Sequence, residues 1–159
     1  IALSIEKLHG EAVDIYALEK SPMSYKYLTE NIRCLNSKVK AINEDLLLAH
    51  EYFNDDFFDF IVSNPPYIKT SDLKNLQPEV LYEPQMALDG GESGLVFYEN
   101  ICKLWTPKLK IGGNIIFEIG KGQFEEVREI MIMNGIKNIH FKRDINGIIR
   151  GVSGTKCDK

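Results

Sequence analysis

The sequence has little that would tie it to a membrane, an oxidising compartment or a polyanion. No apolar run in its 159 residues comes near the roughly 20 that a membrane-spanning helix needs. Three cysteines, Cys34, Cys102 and Cys157, stand far apart and are odd in number. They fit neither a disulfide framework nor a paired zinc site, and they point to a reducing cytoplasm. His9, His50 and His140 are equally scattered, so no metal centre is expected. Formal net charge is −4, without the cationic excess that would hold nucleic acid, and basic clusters such as "KLK" and "HFKR" are small. The opening "IALSIEKLHG" carries no basic n-region and no cleavage signal. No repeat or low-complexity tract breaks the chain. What is present is an ordinary globular composition, 44% hydrophobic and 26% charged, sufficient for one domain with a core.

Apolar runs alternate with helical patterns. Residues 1–9 read as a helix remnant, and "AVDIYAL" (12–18) as a short buried strand. A helix follows over 21–35, with Ser21 as N-cap and Pro22 at the first helical position. "KVKAIN" (38–43) and "FFDFIVS" (57–63) read as strands, the second also buried. Leu95, Tyr98, Ile101, Cys102 and Trp105 recur at helical spacing over 94–105. "GGNIIFEIG" (112–120) reads as a strand after a glycine turn, and 123–135 as a helix stopped by Asn134-Gly135. Two strands, 136–144 and 148–153, close the chain around the turn "INGI" and must pair antiparallel. Alternating strands and helices predict an α/β fold with a mostly parallel sheet, ending in an antiparallel hairpin. That is how a Rossmann-like class I methyltransferase fold ends; a plain dinucleotide-binding Rossmann domain lacks the hairpin.

In an open α/β sheet, ligands bind beyond the carboxyl ends of the strands. Glu19 stands after "DIYAL" and can accept both hydroxyls of a ribose. Asp45 follows the next strand and can accept from an adenine amino group, with Leu46 packing on the ring. Helix capping or plain solvation is the competing account, evenly weighted for Glu19 and favoured for Asp45 taken alone. At the ends of successive strands, the pair points to a nucleoside-bearing cofactor.

"IVSNPPYIKT" (61–70) poses a sharper question: why end a strand with an amide, two prolines and an aromatic ring? An amide nitrogen or exocyclic amine is a poor nucleophile, because its lone pair is delocalised. An enzyme that alkylates it must hold the NH₂ and favour charge developing on nitrogen. The Asn64 side-chain carbonyl and the Pro65 backbone carbonyl are two acceptors that can hold both protons of one NH₂. Pro66 stiffens the corner so that the acceptors need not reorganise. Tyr67 supplies a flat wall for a planar amide or base. A loop corner with a capping asparagine is the bland alternative, and the tyrosine after the strand weighs against it.

With these motifs the sequence resembles the HemK/PrmC type of protein-(glutamine-N5) methyltransferase, which modifies peptide-chain release factors. The likeness covers nearly the whole chain. It rests on "FDFIVSNPPYI", on "EPQMALDGGESGL" (83–95), on "GGNIIFEIG" and "DINGIIRGV", and on the spacing of Asn31 after Ser21. Asn-Pro-Pro-Tyr alone is shared with amino-methylating DNA and RNA enzymes; segment 83–95 narrows the choice. Glu83 as a helix cap and Gly90-Gly91 as a mere turn are its simpler explanations. The resemblance implies S-adenosylmethionine as methyl donor, Asn64, Pro65 and Tyr67 around the substrate glutamine, and Glu19, Asp45, Leu46 and Asn64 around the cofactor. Family members usually carry Asp where this chain has Glu19. They also carry an Asp-x-Gly-x-Gly-x-Gly loop after a first strand, behind an N-terminal helical domain. "IALSIE" looks like the helix that follows that loop, so residues 1–159 are expected to be a catalytic-domain fragment lacking all three.

Three functions compete at this point. One is transfer of a methyl group to the glutamine of a release factor's Gly-Gly-Gln motif. Another is N6-adenine or N4-cytosine methylation, whose planar NH₂ the same corner would serve; the acidic charge makes direct nucleic-acid binding the weaker expectation. The third is a truncated methyltransferase-like module that only binds.

Overall fold

Ser21 and Pro22 do what their chemistry predicts. In a computed structural model, which describes residues 1–158 apart from the side chains of Glu11 and Leu81, the Ser21 hydroxyl accepts the Ser24 N–H at 3.3 Å and Pro22 opens the helix Pro22–Cys34. The chain divides into two compact units, Ile1–Tyr52 and Phe53–Lys159, where one domain was expected. The first unit contains α1 (Ala2–His9), β1 (Tyr16–Leu18), α2 (Pro22–Cys34), β2 (Lys40–Ile42) and the one-turn α3 (Leu46–Ala49). Its two strands pair parallel, Tyr16 with Lys40 and Leu18 with Ile42.

The second unit contains β3 (Phe58–Ser63), α4 (Val96–Trp105), β4 (Leu109–Glu118), α5 (Phe124–Met133), β5 (Ile136–Arg143) and β6 (Ile149–Lys156). Its sheet has the order β3-β4-β6-β5. β3 and β4 are parallel, and β6 runs antiparallel to both β4 and β5. Only β6 opposes the common direction, so the sheet is mostly parallel and ends in the expected hairpin. The Asp144 carboxylate builds that turn by accepting the N–H groups of Asn146 (2.8 Å) and Ile148 (3.0 Å), with Gly147 at φ 78°.

α4 contributes Tyr98, Ile101, Cys102 and Trp105 to a core that also holds Ile115, Phe117, Ile119, Val127 and Met131. Each fully buried large side chain of this kind contributes about 1.5–3 kcal/mol. The Tyr98 ring meets Phe117 edge-on at 5.4 Å, and its hydroxyl donates to the Glu118 carbonyl at 2.9 Å. Burial pushes the Cys102 thiol up to about 12, which makes it a packing residue and no nucleophile.

Several expectations need correction. β1 and β3 are not buried strands: no residue of either is buried, and Phe60 is 62% exposed. Each is the edge of its sheet, paired on one side only. β1 spans only Tyr16–Leu18, and Gly10–Ala12 forms a 3-10 turn. β4 begins at Leu109, before its glycines. Gly112 sits inside the strand at φ 82°, where the register to β3 jumps from Phe58–Leu109 to Phe60–Asn114. β6 runs on to Lys156.

Candidate active site

β3 delivers the chain to the corner. Asn64 is exposed, Pro65 is buried, and Pro66 and Tyr67 are half-buried. The two rings fix φ and remove two N–H groups, so the strand ends here without leaving those donors unpaired. Beyond the corner, the backbone is gripped by segment 83–95. The Ile68 N–H donates to the Leu88 carbonyl at 3.0 Å, and the Gly90 N–H donates back to the Ile68 carbonyl at 2.7 Å. The result is a parallel bridge between Ile68 and Asp89.

That grip explains the glycines. A Cβ on Gly90 would lie 2.8 Å from the Tyr67 Cα, and one on Gly94 would lie 2.7 Å from the Tyr67 carbonyl oxygen. Gly91 and Gly94 also hold φ at 83° and 75°. The segment is therefore more than a turn: its glycines let its backbone close on Tyr67. Glu83 follows a 3-10 turn, Val80–Tyr82, at that turn's C-terminal end, so it is not an N-cap. The Asp89 carboxylate accepts from the Thr70 hydroxyl (2.7 Å) and the Gly91 N–H (2.9 Å). The Thr70 bond, with the Gly91 bond second, holds its carboxyl below the usual range.

From the other side, Gln123 donates through Nε2 to the Tyr67 carbonyl (3.1 Å) and to the Gly94 carbonyl (3.2 Å). Its Oε1 accepts the Gly120 N–H at 2.9 Å. A Cβ on Gly120 would stand 2.5 Å from Oε1 and 3.0 Å from the Tyr67 ring, so a side chain there would displace the Gln123 amide. Gly120 closes the motif "GGNIIFEIG", but Gln123 does not stand out in the sequence. The only available signal is "EIGKGQ" at a strand-to-helix junction.

In the first unit, Glu19 and Asp45 follow the carboxyl ends of β1 and β2, as expected, and both are half-buried. The Glu19 N–H extends the ladder to the Ile42 carbonyl (3.0 Å), and its Oε1 accepts the Ser21 N–H at 2.7 Å. Asp45 caps α3 by accepting the Leu47 N–H at 3.0 Å and pairs with Lys20 at 2.7 Å. Burial raises the Asp45 carboxyl, but the Leu47 N–H and Lys20 outweigh it and leave the group lowered and ionised. Leu46 is half-buried beside it. Asn43 ties the two strand ends together by donating from Nδ2 to the Glu19 carbonyl at 2.7 Å. Both carboxylates thus serve local capping, and a carboxylate retains further acceptor sites after one or two such bonds. No three of His, Cys, Asp and Glu form a metal-holding group among the described residues.

Residues 2–140 match the sequence model of the Eco57I restriction-modification methylase family. The chain belongs to that family. The chain is similar to the release factor glutamine methyltransferase of Thermodesulfovibrio yellowstonii, at 40% identity over 94% of this chain and 53% of the relative. It is 39% identical to the enzyme of the same name from Geobacter sulfurreducens, over 97% of this chain and 52% of that one. The chain spans about half the length of the curated relatives it matches. The resemblance read from the motifs is borne out by these relatives. A crystal structure of a SAM dependent methyltransferase from Aquifex aeolicus superposes with a TM-score of 0.63 at 16% identity, over 97% of this chain and 74% of that one. The fold is the Rossmann-like class I methyltransferase fold.

Proposed function

We propose that this chain is the catalytic part of an S-adenosylmethionine-dependent methyltransferase. Its acceptor is the side-chain amide nitrogen of the glutamine in a release factor's Gly-Gly-Gln motif. The observation that carries the reading is the Asn64-Pro65-Pro66-Tyr67 corner, whose backbone is fixed on two sides by segment 83–95 and by Gln123. Asn64 Oδ1 and the Pro65 carbonyl each accept one N–H of the substrate amide. Withdrawing both protons toward oxygen raises electron density on nitrogen. The Tyr67 ring holds the amide plane, and the rigidity of the corner keeps the acceptors from relaxing during transfer. When bound, the donor would supply an electrophilic methyl to the nitrogen held by Asn64 and Pro65, and the proton displaced from that nitrogen would leave to water.

In the first unit, Glu19 accepts from the ribose hydroxyls, Asp45 from the adenine amino group, and Leu46 packs on the ring. All three fit that role in kind. Glu19 and Asp45 are acceptors at the ends of adjacent parallel strands, and Asp45 is held ionised.

The name of the matching family favours a second reading, methylation of adenine N6 or cytosine N4 in nucleic acid. The net charge of −4 favours the protein acceptor. Both are decided by one assay. The natural full-length protein is incubated with methyl-labelled donor and with release factor, DNA or tRNA, and the products are read by mass spectrometry. One added methyl on the release-factor glutamine is expected. Label on a nucleobase with release factor unmodified would overturn the reading in favour of the second.

A further inference from the structure

Gln123 occupies the N-cap position of α5, yet its side chain makes no capping bond to that helix. Ser, Thr, Asp and Asn serve N-caps by folding back onto their own first turn. Gln123 instead spends its amide on three other segments: the post-β3 corner through Tyr67, the glycine turn through Gly94, and the post-β4 turn through Gly120. The orientation of the amide is fixed by its partners, because two carbonyl oxygens face Nε2 and one N–H faces Oε1. Two glycines are shaped around it. A Cβ on Gly94 would lie 2.9 Å from Nε2, and one on Gly120 would lie 2.5 Å from Oε1.

Resting on the function proposed above, we infer that Gln123 is the positioning residue of the acceptor corner. It pulls on the Tyr67 carbonyl directly, and through the rigid peptides of Pro65 and Pro66 it sets where the Asn64 and Pro65 acceptors stand. It does not touch the substrate amide; it decides how well that amide is aimed. Residues placed by such a clamp lose rate when it loosens, since small misplacements of reacting groups cost up to two orders of magnitude.

Two variants of the natural full-length protein test this. Gln123→Met keeps the length and removes the three side-chain hydrogen bonds of the amide. It should lower kcat for methyl transfer by roughly 10- to 100-fold, with the dissociation constant of the donor unchanged. The NMR resonances of the Tyr67 carbonyl carbon and the Asn64 side-chain amide should shift. Gln123→Glu can donate only when protonated, and facing two carbonyl oxygens favours the neutral acid. Its activity relative to the parent should therefore be highest at low pH and fall as pH rises. An unchanged kcat in Gln123→Met overturns the inference. So does a Gln123→Glu ratio that is flat with pH, and so do resonances at Tyr67 and Asn64 that stay in place. If the parent methylates no acceptor at all, the proposed function fails, and the Tyr67 and Asn64 resonances of Gln123→Met still decide whether the clamp exists.

Discussion

Asn64 and Tyr67 are legible as residues because proline is. Two rings after an apolar run force a stop, and a stop followed by an aromatic invites a chemical explanation. Gln123 is illegible for the opposite reason: glutamine has no strong local preference, and two of its three partners lie 56 and 29 residues away in sequence. If the proposed function holds, Asn64→Ala removes one acceptor for the substrate amide and should lower turnover by roughly 10²–10³-fold, by analogy with loss of one preorganised polar group. Tyr67→Phe should change little, since the ring is the wall, while Tyr67→Ala should raise KM; steady-state kinetics on the release factor separate the three. The carboxylates set a pH limit. Asp45 and Asp89 are both lowered from 3.8, so the order they impose is complete above that pH and is lost only as pH falls through their still lower folded values. Amide shifts of Leu47 and Gly91, which donate to them, should be flat with respect to these groups from pH 8 to 5 and move only below about 3.8.

At the scale of elements, periodicity finds α2, α4 and α5 and the closing hairpin, because those segments combine caps, apolar spacing and tight turns. It says nothing of residues 70–88, where the chain forms short 3-10 turns without a repeating apolar face. It also misjudges the glycines. Those of β4 look like a boundary and lie within the strand, while those of segment 83–95 look like a turn and are a docking surface for backbone. The two kinds can be told apart by substitution. Gly112 has φ 82°, and a Cβ added there would meet nothing within 4 Å, so Gly112→Ala carries only the left-handed penalty of roughly 1–2 kcal/mol. Gly94 has φ 75°, and a Cβ there would in addition meet the Tyr67 carbonyl oxygen at 2.7 Å. Gly94→Ala should therefore cost more stability in urea unfolding than Gly112→Ala, and should alone depress turnover, because relieving the overlap moves the corner. Equal costs with turnover intact in both would remove segment 83–95 from the site.

Over the whole molecule, alternation of strands and helices predicts one core, and the chain forms two units of unequal quality. Local pattern cannot reveal this, since β1, α2 and β2 read like any βαβ segment. The difference lies in burial. Among the described residues of the first unit, only Val39 and Ala49 are buried apolar residues, and neither α1 nor α2 contributes one. Phe117, Ile115, Leu109, Val127 and Met131 are all fully buried in the second. A unit of some fifty residues with so little core is marginal, so its amides should open at lower free energy than those of β4 and β6. Hydrogen exchange on this chain should show β1 and β2 exchanging well before β4. Under the proposed function, donor binding would supply what packing does not. In the natural full-length protein, donor at 100 times its dissociation constant adds about 2.7 kcal/mol to the bound state. Exchange at residues 18–20 and 42–47 should slow by up to about 100-fold. Glu19→Ala, which removes a charge-assisted acceptor worth roughly 1.5–3 kcal/mol, should weaken donor binding by about tenfold or more and shrink that protection. Protection confined to the second unit, or a Glu19→Ala variant protected as fully as its parent, would show that Glu19 only ties down Ser21 and that the donor is held elsewhere.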